Sequence, residues 1–290
     1  MTPTPLLFAV FLLASVSMSG AQFRADFFHD EAYWGDGKAE FTTFDAQQVR
    51  YGQARTSEVL HILVREPFSN RDVVKAEPGS AGGSYPVIKL NQILRIPTGV
   101  YVYQQMHSAF WRADSGRLVK ATLTSNDSCG NTYKEFRALA GPLAWLGAGW
   151  RYEWRTYWEG MSAGDETVRG GKDAIFYDEL PVRVRTMDFA KGSGEFVVPL
   201  APTIISSKKG AVKFSPATLK WVAGAQTIEV EVAHAAGKDR FTLDAKAPHL
   251  LREWRQADGG RLKLRKSLKL DYWNHNKLGD EGRLSATARE

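Results

Sequence analysis

The amino-acid sequence predicts a mainly β protein: a large curved antiparallel sheet or half-open barrel with few short helices. Three observations predict this class. Apolar and polar residues alternate along several stretches, turn-forming residues separate those stretches, and no repeated strand–helix–strand pattern appears along the 290 residues. A large antiparallel sheet has to curl, close or double over to bury one of its faces.

The clearest alternation lies near the carboxyl end, in residues 261–272. Side chains of a strand point alternately to its two faces, whereas a helix would scatter the same leucines around its circumference. The pattern predicts one long half-buried strand or a tight hairpin, and Lys266 is the exception on the apolar face. That face carries Leu262, Leu264, Leu268, Leu270 and Tyr272.

Shorter stretches of the same kind complete the predicted sheet. Turn residues separate them, and residues 114–116 and 258–260 are typical of hairpin tips. Helical pattern is scarce: residues 23–33 predict one short helix, and residues 133–146 predict another turn or two. The further strand candidates are residues 59–65, 88–96, 100–110, 118–125, 182–185, 195–200, 228–232 and 240–245.

The first 21 residues are typical of a secretory signal peptide, which would leave residues 22–290 as a single mostly β domain. Residues 6–18 form an apolar run that is too short to span a bilayer as a helix. Ser19 and Ala21 occupy the −3 and −1 positions of a small-x-small cleavage site before Gln22. The alternative is an uncleaved anchor. We expect a periplasmic or secreted protein, cleaved near Ala21.

The charge of the chain favours anionic partners. Its formal net charge is +6 and its pI is near 9.3, which suits an anionic envelope surface; the alternative is that the charge serves ordinary solubility. No nucleic-acid motif accompanies this charge, so we expect no nucleic-acid partner. The single cysteine excludes an internal disulfide. The oligomeric state stays open.

An aromatic stretch is the first candidate for function. Trp150, Tyr152, Trp154 and Trp158 alternate with polar residues, so a strand would place them on one face. Such a face could line a cavity for a lipid-like ligand, stack on sugar rings, or simply form an aromatic core. The glycine-rich residues 141–149 hold Trp145 and could cover the cavity as a flap or serve as a hairpin connection.

A thiol is the second candidate. Cys129 lies in a polar, turn-like segment after a predicted strand, where an accessible and activated thiol can react. His107 ends the neighbouring strand candidate, and Asp127 or Glu135 could orient its ring, which would complete the parts of a thiol hydrolase. The alternative is a buried, inert cysteine. The dispersed histidines predict no metal site, and no motif predicts a cofactor.

Six short segments carry a resemblance to known proteins. They are Tyr33-Trp34-x-Asp36-Gly37-Lys38-Ala39-Glu40, Arg50-Tyr51-Gly52, Arg65-Glu66-Pro67-Phe68-Ser69, Lys89-Leu90-Asn91, Thr98-Gly99-Val100-Tyr101 and Cys129-Gly130-Asn131-Thr132-Tyr133. Together they resemble an uncharacterised family of exported bacterial proteins that often carry the label "septum formation inhibitor Maf". True Maf proteins are cytoplasmic nucleotide pyrophosphatases of an α/β fold with a Ser-x-Ser-Pro-Arg-Arg motif. This chain lacks that motif, so the label is a misnomer here, and the resemblance implies a grouping without an activity.

The leading expectation is a non-enzymatic exported envelope protein that binds an apolar or amphipathic ligand, such as a lipid, in a β cavity. Its rivals are an exported thiol-dependent enzyme using Cys129 with His107, and a structural protein that contacts glycans. The first requires a cavity of roughly several hundred Å³ inside the sheet. The second requires an accessible sulfur beside an imidazole, and the third requires exposed aromatic rings.

Overall fold

The computed structural model describes residues 23–139, 149–171 and 173–284, and it confirms the prediction of a mainly β fold with few short helices. The predicted leader, residues 1–21, lies outside the described residues. All fifteen described strands belong to one open sheet. Within the described ranges, no helix has the length and apolar character needed to cross a membrane.

Strands that follow one another in the chain pair side by side and form two wings. The first wing comprises β1 (Ala39–Arg50), β2 (Gln53–Ser69), β3 (Ser84–Pro97), β4 (Val102–Arg112), β5 (Leu118–Asp127), β6 (Gly130–Ala138), β7 (Gly149–Arg155) and β8 (Ala163–Arg169). The second wing comprises β9 (Ile175–Phe176), β10 (Ser193–Ala201), β11 (Ser215–Ala223), β12 (Thr227–His234), β13 (Gly237–Asp244), β14 (Leu251–Arg255) and β15 (Arg261–Leu270). The β1–β15 pair joins the wings, and all neighbours are antiparallel except β9 and β10.

Two sequence predictions of helix need correction. The helix predicted for residues 23–33 is two single turns, α1 (Asp26–His29) and α2 (Glu31–Trp34), because Asp30 is extended between them. The Asp30 carboxylate accepts a hydrogen bond from Tyr33 N at 3.0 Å and caps α2.

The helical turns predicted for residues 133–146 are wrong in their first part, because β6 pairs with both β5 and β7 there. Residues 140–148 lie outside the described ranges.

A helical segment lies inside the sheet where the sequence predicts a strand. This central segment, residues 177–187, contains a 3₁₀ turn (Tyr177–Glu179), α3 (Leu180–Arg183) and a second 3₁₀ turn (Val184–Thr186). The strand predicted for residues 182–185 is therefore wrong. The valines and the arginines of that stretch are all buried, because protein surrounds the segment on every side. The alternation arises because the valines pack in the apolar cores while the arginines form buried ion pairs. The remaining 3₁₀ turns are Phe189–Lys191, Tyr272–Asn274 and Asp280–Leu284.

The inner face of the sheet packs around the central segment in two apolar cores. Core 1 lies mainly on the second wing and core 2 on the first, and the valines of α3 and the following turn enter one core each. Core 1 includes Phe44, Val184, Leu219, Val230 and Phe241. Core 2 includes Leu90, Trp111, Phe136, Tyr152 and Val182.

The leucines of β15 do not share one face as predicted. A register shift opposite Thr43 and Phe44 inserts an extra residue, Arg265, into β15. Because an inserted residue reverses the alternation that follows it, the strand changes faces at this bulge. Leu262 and Leu264 belong to core 1. Leu268 and Leu270 instead pack on the outer face, against a cluster of Ala39, Phe41, Ile62 and Val64.

A tryptophan lies over a glycine of the neighbouring strand in each wing. Trp154 is paired with Gly164, and Trp221 is paired with Gly194. A methyl group at Gly164 would lie 2.5 Å from Trp154 Cζ2, and one at Gly194 would overlap the Trp221 ring. These glycines therefore provide the space that the indole rings fill.

We expect Gly194→Ala to lower the free energy of unfolding by about 1–3 kcal/mol, because the indole of Trp221 has to move out of a packed position. Urea unfolding measures this change. In a Trp221→Leu background the same Gly194→Ala substitution should cost much less, since the clash is gone. An equal cost in both backgrounds would contradict the steric explanation.

Candidate functional site

A cavity of about 350 Å³ lies where the two wings meet. Strands β1–β3 form one wall, β14 and β15 form another, and the start of the central segment forms a third. The loop between β10 and β11, residues 202–214, closes part of the remaining side; we call this loop the strap. The larger apolar side chains of the lining are Val59, Leu94, Leu200, Ile205, Trp254 and Leu262.

Two buried polar residues of the lining fix the central segment, Gln92 to the first wing and Asp178 to the strap. Gln92 Nε2 donates to the backbone oxygen of Asp178 at 2.7 Å and lies 3.0 Å from His107 Nδ1. The Asp178 carboxylate accepts hydrogen bonds from Thr203 Oγ1 at 2.6 Å and from Ile204 N at 2.7 Å. Burial raises the pKa of Asp178 to about 6, although these hydrogen bonds act in the opposite direction.

The opposite wall is organised by a buried carboxylate. Asp239 is fully buried, and its oxygens accept hydrogen bonds from Tyr177 Oη at 2.7 Å, Trp254 Nε1 at 2.9 Å and Ala257 N at 2.8 Å. His234 Nε2 lies 3.1 Å from the same carboxylate. Four of the residues that contact Asp239 line the cavity, so this wall is held in place before any ligand binds.

The strap connects the two wings across the open side of the sheet. It leaves β10 of the second wing and reaches β6 and β7 of the first. Lys134 Nζ donates to Ile204 O at 2.9 Å, and Tyr152 Oη donates to Lys209 O at 2.6 Å. Burial lowers the pKa of Lys134 to about 8. Among the described residues, the strap is the loop that covers the cavity. The predicted flap, residues 141–149, lies outside the described ranges except for Gly149 in β7.

The mouth of the cavity carries charged residues. Arg50 is half-buried at the end of β1, and Lys213 and Asp258 are exposed. The Arg50 guanidinium donates to Val49 O at 2.8 Å and lies 3.5 Å from Gln105 Oε1. Burial lowers the pKa of Arg50, and nearby Asp258 acts in the opposite direction. The site thus combines an apolar interior with an ionic mouth.

The aromatic residues predicted to line the cavity do not line it. Trp150, Tyr152 and Trp154 share the inner face of β7, as predicted, but they are buried in core 2. Tyr152 stacks on Phe136 with ring centroids 4.2 Å apart. Trp158 lies beyond the strand and is half-buried beneath Lys208. Trp145 lies outside the described residues. The three β7 residues do not line this cavity because the strap and the second wing pack against them.

The structure does not bring the predicted thiol and imidazole together. Cys129 is exposed in the β5–β6 turn, where its backbone N–H donates to Asp127 Oδ1 at 2.9 Å. His107 is fully buried and pairs with Leu123 in the middle of β5. The strand from Leu123 to Asp127 alone spans about 13 Å. The pairing of Cys129 with His107, which the thiol-enzyme prediction requires, is therefore not formed.

The described residues offer no cluster of metal-ligating side chains. Among the described residues, no group of three or more His, Cys, Asp and Glu side chains is arranged to hold a metal ion. The residues that build the cavity escaped the sequence analysis because they come from eight strands, three loops and the start of the central segment. The hairpin tip predicted at residues 258–260 holds the lining residue Asp258, but a turn signal indicates a connection between strands without showing what the connection covers.

The comparisons with known proteins leave the chain without an assigned relative. No protein-family model, no curated protein and no solved structure matches it. The grouping with exported bacterial proteins therefore stays a prediction based on the six short segments. Function has to be inferred from the cavity itself.

Proposed function

We propose that this chain is a non-enzymatic exported envelope protein that binds an apolar or amphipathic, lipid-like ligand in the cavity between its wings. The observation that carries the proposal is the cavity of about 350 Å³, with an apolar interior and an ionic mouth. Ligand pockets in proteins occupy about 300–1,000 Å³ and are mostly apolar with a few placed polar groups. This cavity fits the lower part of that range.

The structure around the cavity favours its use as a ligand-binding site. Both cores are closely packed, with stacked or edge-on aromatic pairs in each. The cavity opens to solvent at its ionic mouth, so a ligand that covers the apolar lining removes that surface from water. A large apolar space with walls held by the buried Asp239 and Asp178 is expected to gain stability when an apolar ligand fills it.

The buried polar groups of the lining serve structural contacts, which favours a binding protein over an enzyme. Gln92 and Asp178 attach the central segment, and His234 contacts Asp239. The envelope location rests on the apolar run and cleavage site in residues 1–21. Native mass spectrometry of protein purified from its own envelope, followed by organic extraction, should therefore reveal a co-purified amphiphile.

Filling the cavity tests the proposal directly. Val59 is buried and lines the cavity, so Val59→Phe places a ring in the space that the ligand needs. We expect binding of 1-dodecanol, measured by calorimetric titration, to weaken by at least about tenfold, or about 1.4 kcal/mol. Val197→Phe is the matched control, because Val197 is half-exposed on β10 and does not line the cavity. Unchanged binding by folded Val59→Phe protein would contradict the proposal.

A further inference from the structure

Arg50 differs from the two most buried arginines of the inner face. Arg183 lies 2.8 Å from the Glu179 carboxylate, and Arg185 lies 2.7 Å from the Glu40 carboxylate. Among the described residues, no carboxylate lies within ion-pairing distance, 4.0 Å, of the Arg50 guanidinium. Its acceptors, Val49 O and Gln105 Oε1, are both neutral. A half-buried guanidinium therefore faces the cavity without a direct ion pair, and Asp258 at the mouth acts on its charge only from beyond ion-pairing distance.

Removing a guanidinium from water is costly unless a negative charge replaces part of the lost hydration. The planar guanidinium offers paired N–H donors that match the two oxygens of a carboxylate or a phosphate. Lys213, on the strap, lines the same cavity and adds a second positive charge. Val59, Leu94 and Leu262 extend the lining inward as apolar surface. The charge and the apolar surface are thus arranged in the order of an amphiphile's head and chain.

We infer that the cavity takes an anionic single-chain amphiphile, with its head group at Arg50 and its chain among the apolar lining residues. This inference rests on the proposed function and specifies its ligand class. A single chain is favoured because about 350 Å³ is near the lower end of the range for ligand pockets. Asp258 also lines the mouth and repels negative charge, which favours a monoanion such as a carboxylate over a dianion such as an alkyl phosphate.

The test compares amphiphiles that share a chain and differ in the head group. Dodecanoate, 1-dodecanol and monododecyl phosphate are titrated by calorimetry into the mature chain, residues 22–290. We expect dodecanoate to bind wild-type protein about tenfold more tightly than dodecanol. Arg50→Gln should remove this advantage, so that dodecanoate binds no more tightly than dodecanol, while Arg50→Lys should retain part of it. Arg95→Gln is the matched control, because Arg95 is exposed on β3 and does not line the cavity.

Each outcome separates the head-group inference from the proposed function. Equal binding of dodecanoate and dodecanol to wild-type protein, or an advantage that survives in Arg50→Gln, overturns the role of Arg50 while the cavity still binds amphiphiles. Tighter binding of monododecyl phosphate than of dodecanoate overturns the preference for a monoanion. Failure of all three amphiphiles to bind overturns both proposals. Thermal unfolding of every variant shows that lost binding does not reflect an unfolded chain.

Discussion

Glu40→Gln is expected to lower the free energy of unfolding by about 3–5 kcal/mol, because it leaves the buried charge of Arg185 without its partner. Two hydrogen bonds join these side chains, Arg185 Nη1 to Glu40 Oε1 at 2.8 Å and Arg185 Nη2 to Glu40 Oε2 at 2.7 Å. Each side chain is only 3% exposed. The pair ties the central segment to β1, so its loss weakens the contact between segment and sheet.

The electrostatics of Glu40 agree with this expectation. Burial alone raises the pKa of a carboxyl group, but Arg185 and the Tyr33 hydroxyl hold the pKa of Glu40 below its ordinary value. Arginine does not lose its proton in a protein, so Arg185 cannot escape the penalty by becoming neutral. The stabilisation by Glu40 is present above the ordinary pKa of glutamate and is lost as pH falls through the lowered pKa.

The matched control is Glu153→Gln. Glu153 pairs with Arg151, and both side chains are more than half exposed. We expect a change of about 0–1 kcal/mol there. Urea unfolding at pH 7.5 measures both variants. The double variant Glu40→Leu with Arg185→Leu should recover most of the loss, since no unpaired charge remains. If Glu40→Gln costs no more than Glu153→Gln, the pair does not hold the central segment.

Acidification from about pH 6 to pH 4 is expected to destabilise the fold through two buried imidazoles. Burial lowers the pKa of His61 to about 3 and that of His107 to about 4. The charge of Glu40 raises the pKa of His61, whereas Arg185 and His107 lower it further. The charge of Glu179 raises the pKa of His107. Burial outweighs both carboxylates. The Nε2 atoms of both rings are buried and lack a hydrogen-bond partner. A protonated ring would therefore carry a buried N–H without an acceptor, so the folded state favours the neutral form of both histidines.

The direction of the effect follows from proton binding in the two states. An unfolded histidine takes up a proton near pH 6.5, while these rings stay neutral in the folded protein until about pH 3–4. Falling pH therefore stabilises the unfolded state by about 1.4 kcal/mol per pH unit for each ring. Asp178 acts oppositely, because its folded pKa of about 6 exceeds its ordinary value of 3.8. Two of these three groups destabilise the fold on acidification and one stabilises it, so their sum is a loss of stability as pH falls from 6 to 4.

Substitutions at two of these residues should change the slope in opposite directions. His61→Leu removes one titrating ring whose Nε2 has no partner, so the loss of stability between pH 6 and pH 4 should become smaller, at a small cost near neutrality. Asp178→Asn removes the opposing carboxyl group and should make the slope steeper. Urea unfolding at a series of pH values measures both. A His61→Leu variant as acid-sensitive as the wild type would show that His61 does not cause the slope.

The sequence predicts the strands well where alternation is undisturbed. Residues 88–96 and 228–232 lie within β3 and β12, and the predicted hairpin tips at residues 114–116 and 258–260 lie between paired strands. These features depend on neighbours within a few residues of one another. The same local pattern fails at Arg265, where a single inserted residue moves the following leucines to the other face.

The candidate site was much less predictable than the strands. The cavity of amphiphile size was expected, but its lining comes from residues far apart in the sequence, such as Arg50, Leu94 and Lys213. The aromatic stretch in β7 was placed on the correct face, yet alternation does not show what covers a face. Here the strap covers it, and the rings became part of core 2.

By itself, the sequence determined that this chain builds a large, mainly antiparallel sheet, because the in-and-out direction of side chains is set by the extended backbone of each strand. Only the tertiary structure decided that residues 182–185 form a buried helical turn and that an open space remains between the wings. The deciding contacts join residues far apart, as Arg185 and Glu40 are across 145 positions. Such contacts form when the wings close around the central segment, and no short stretch of sequence specifies them.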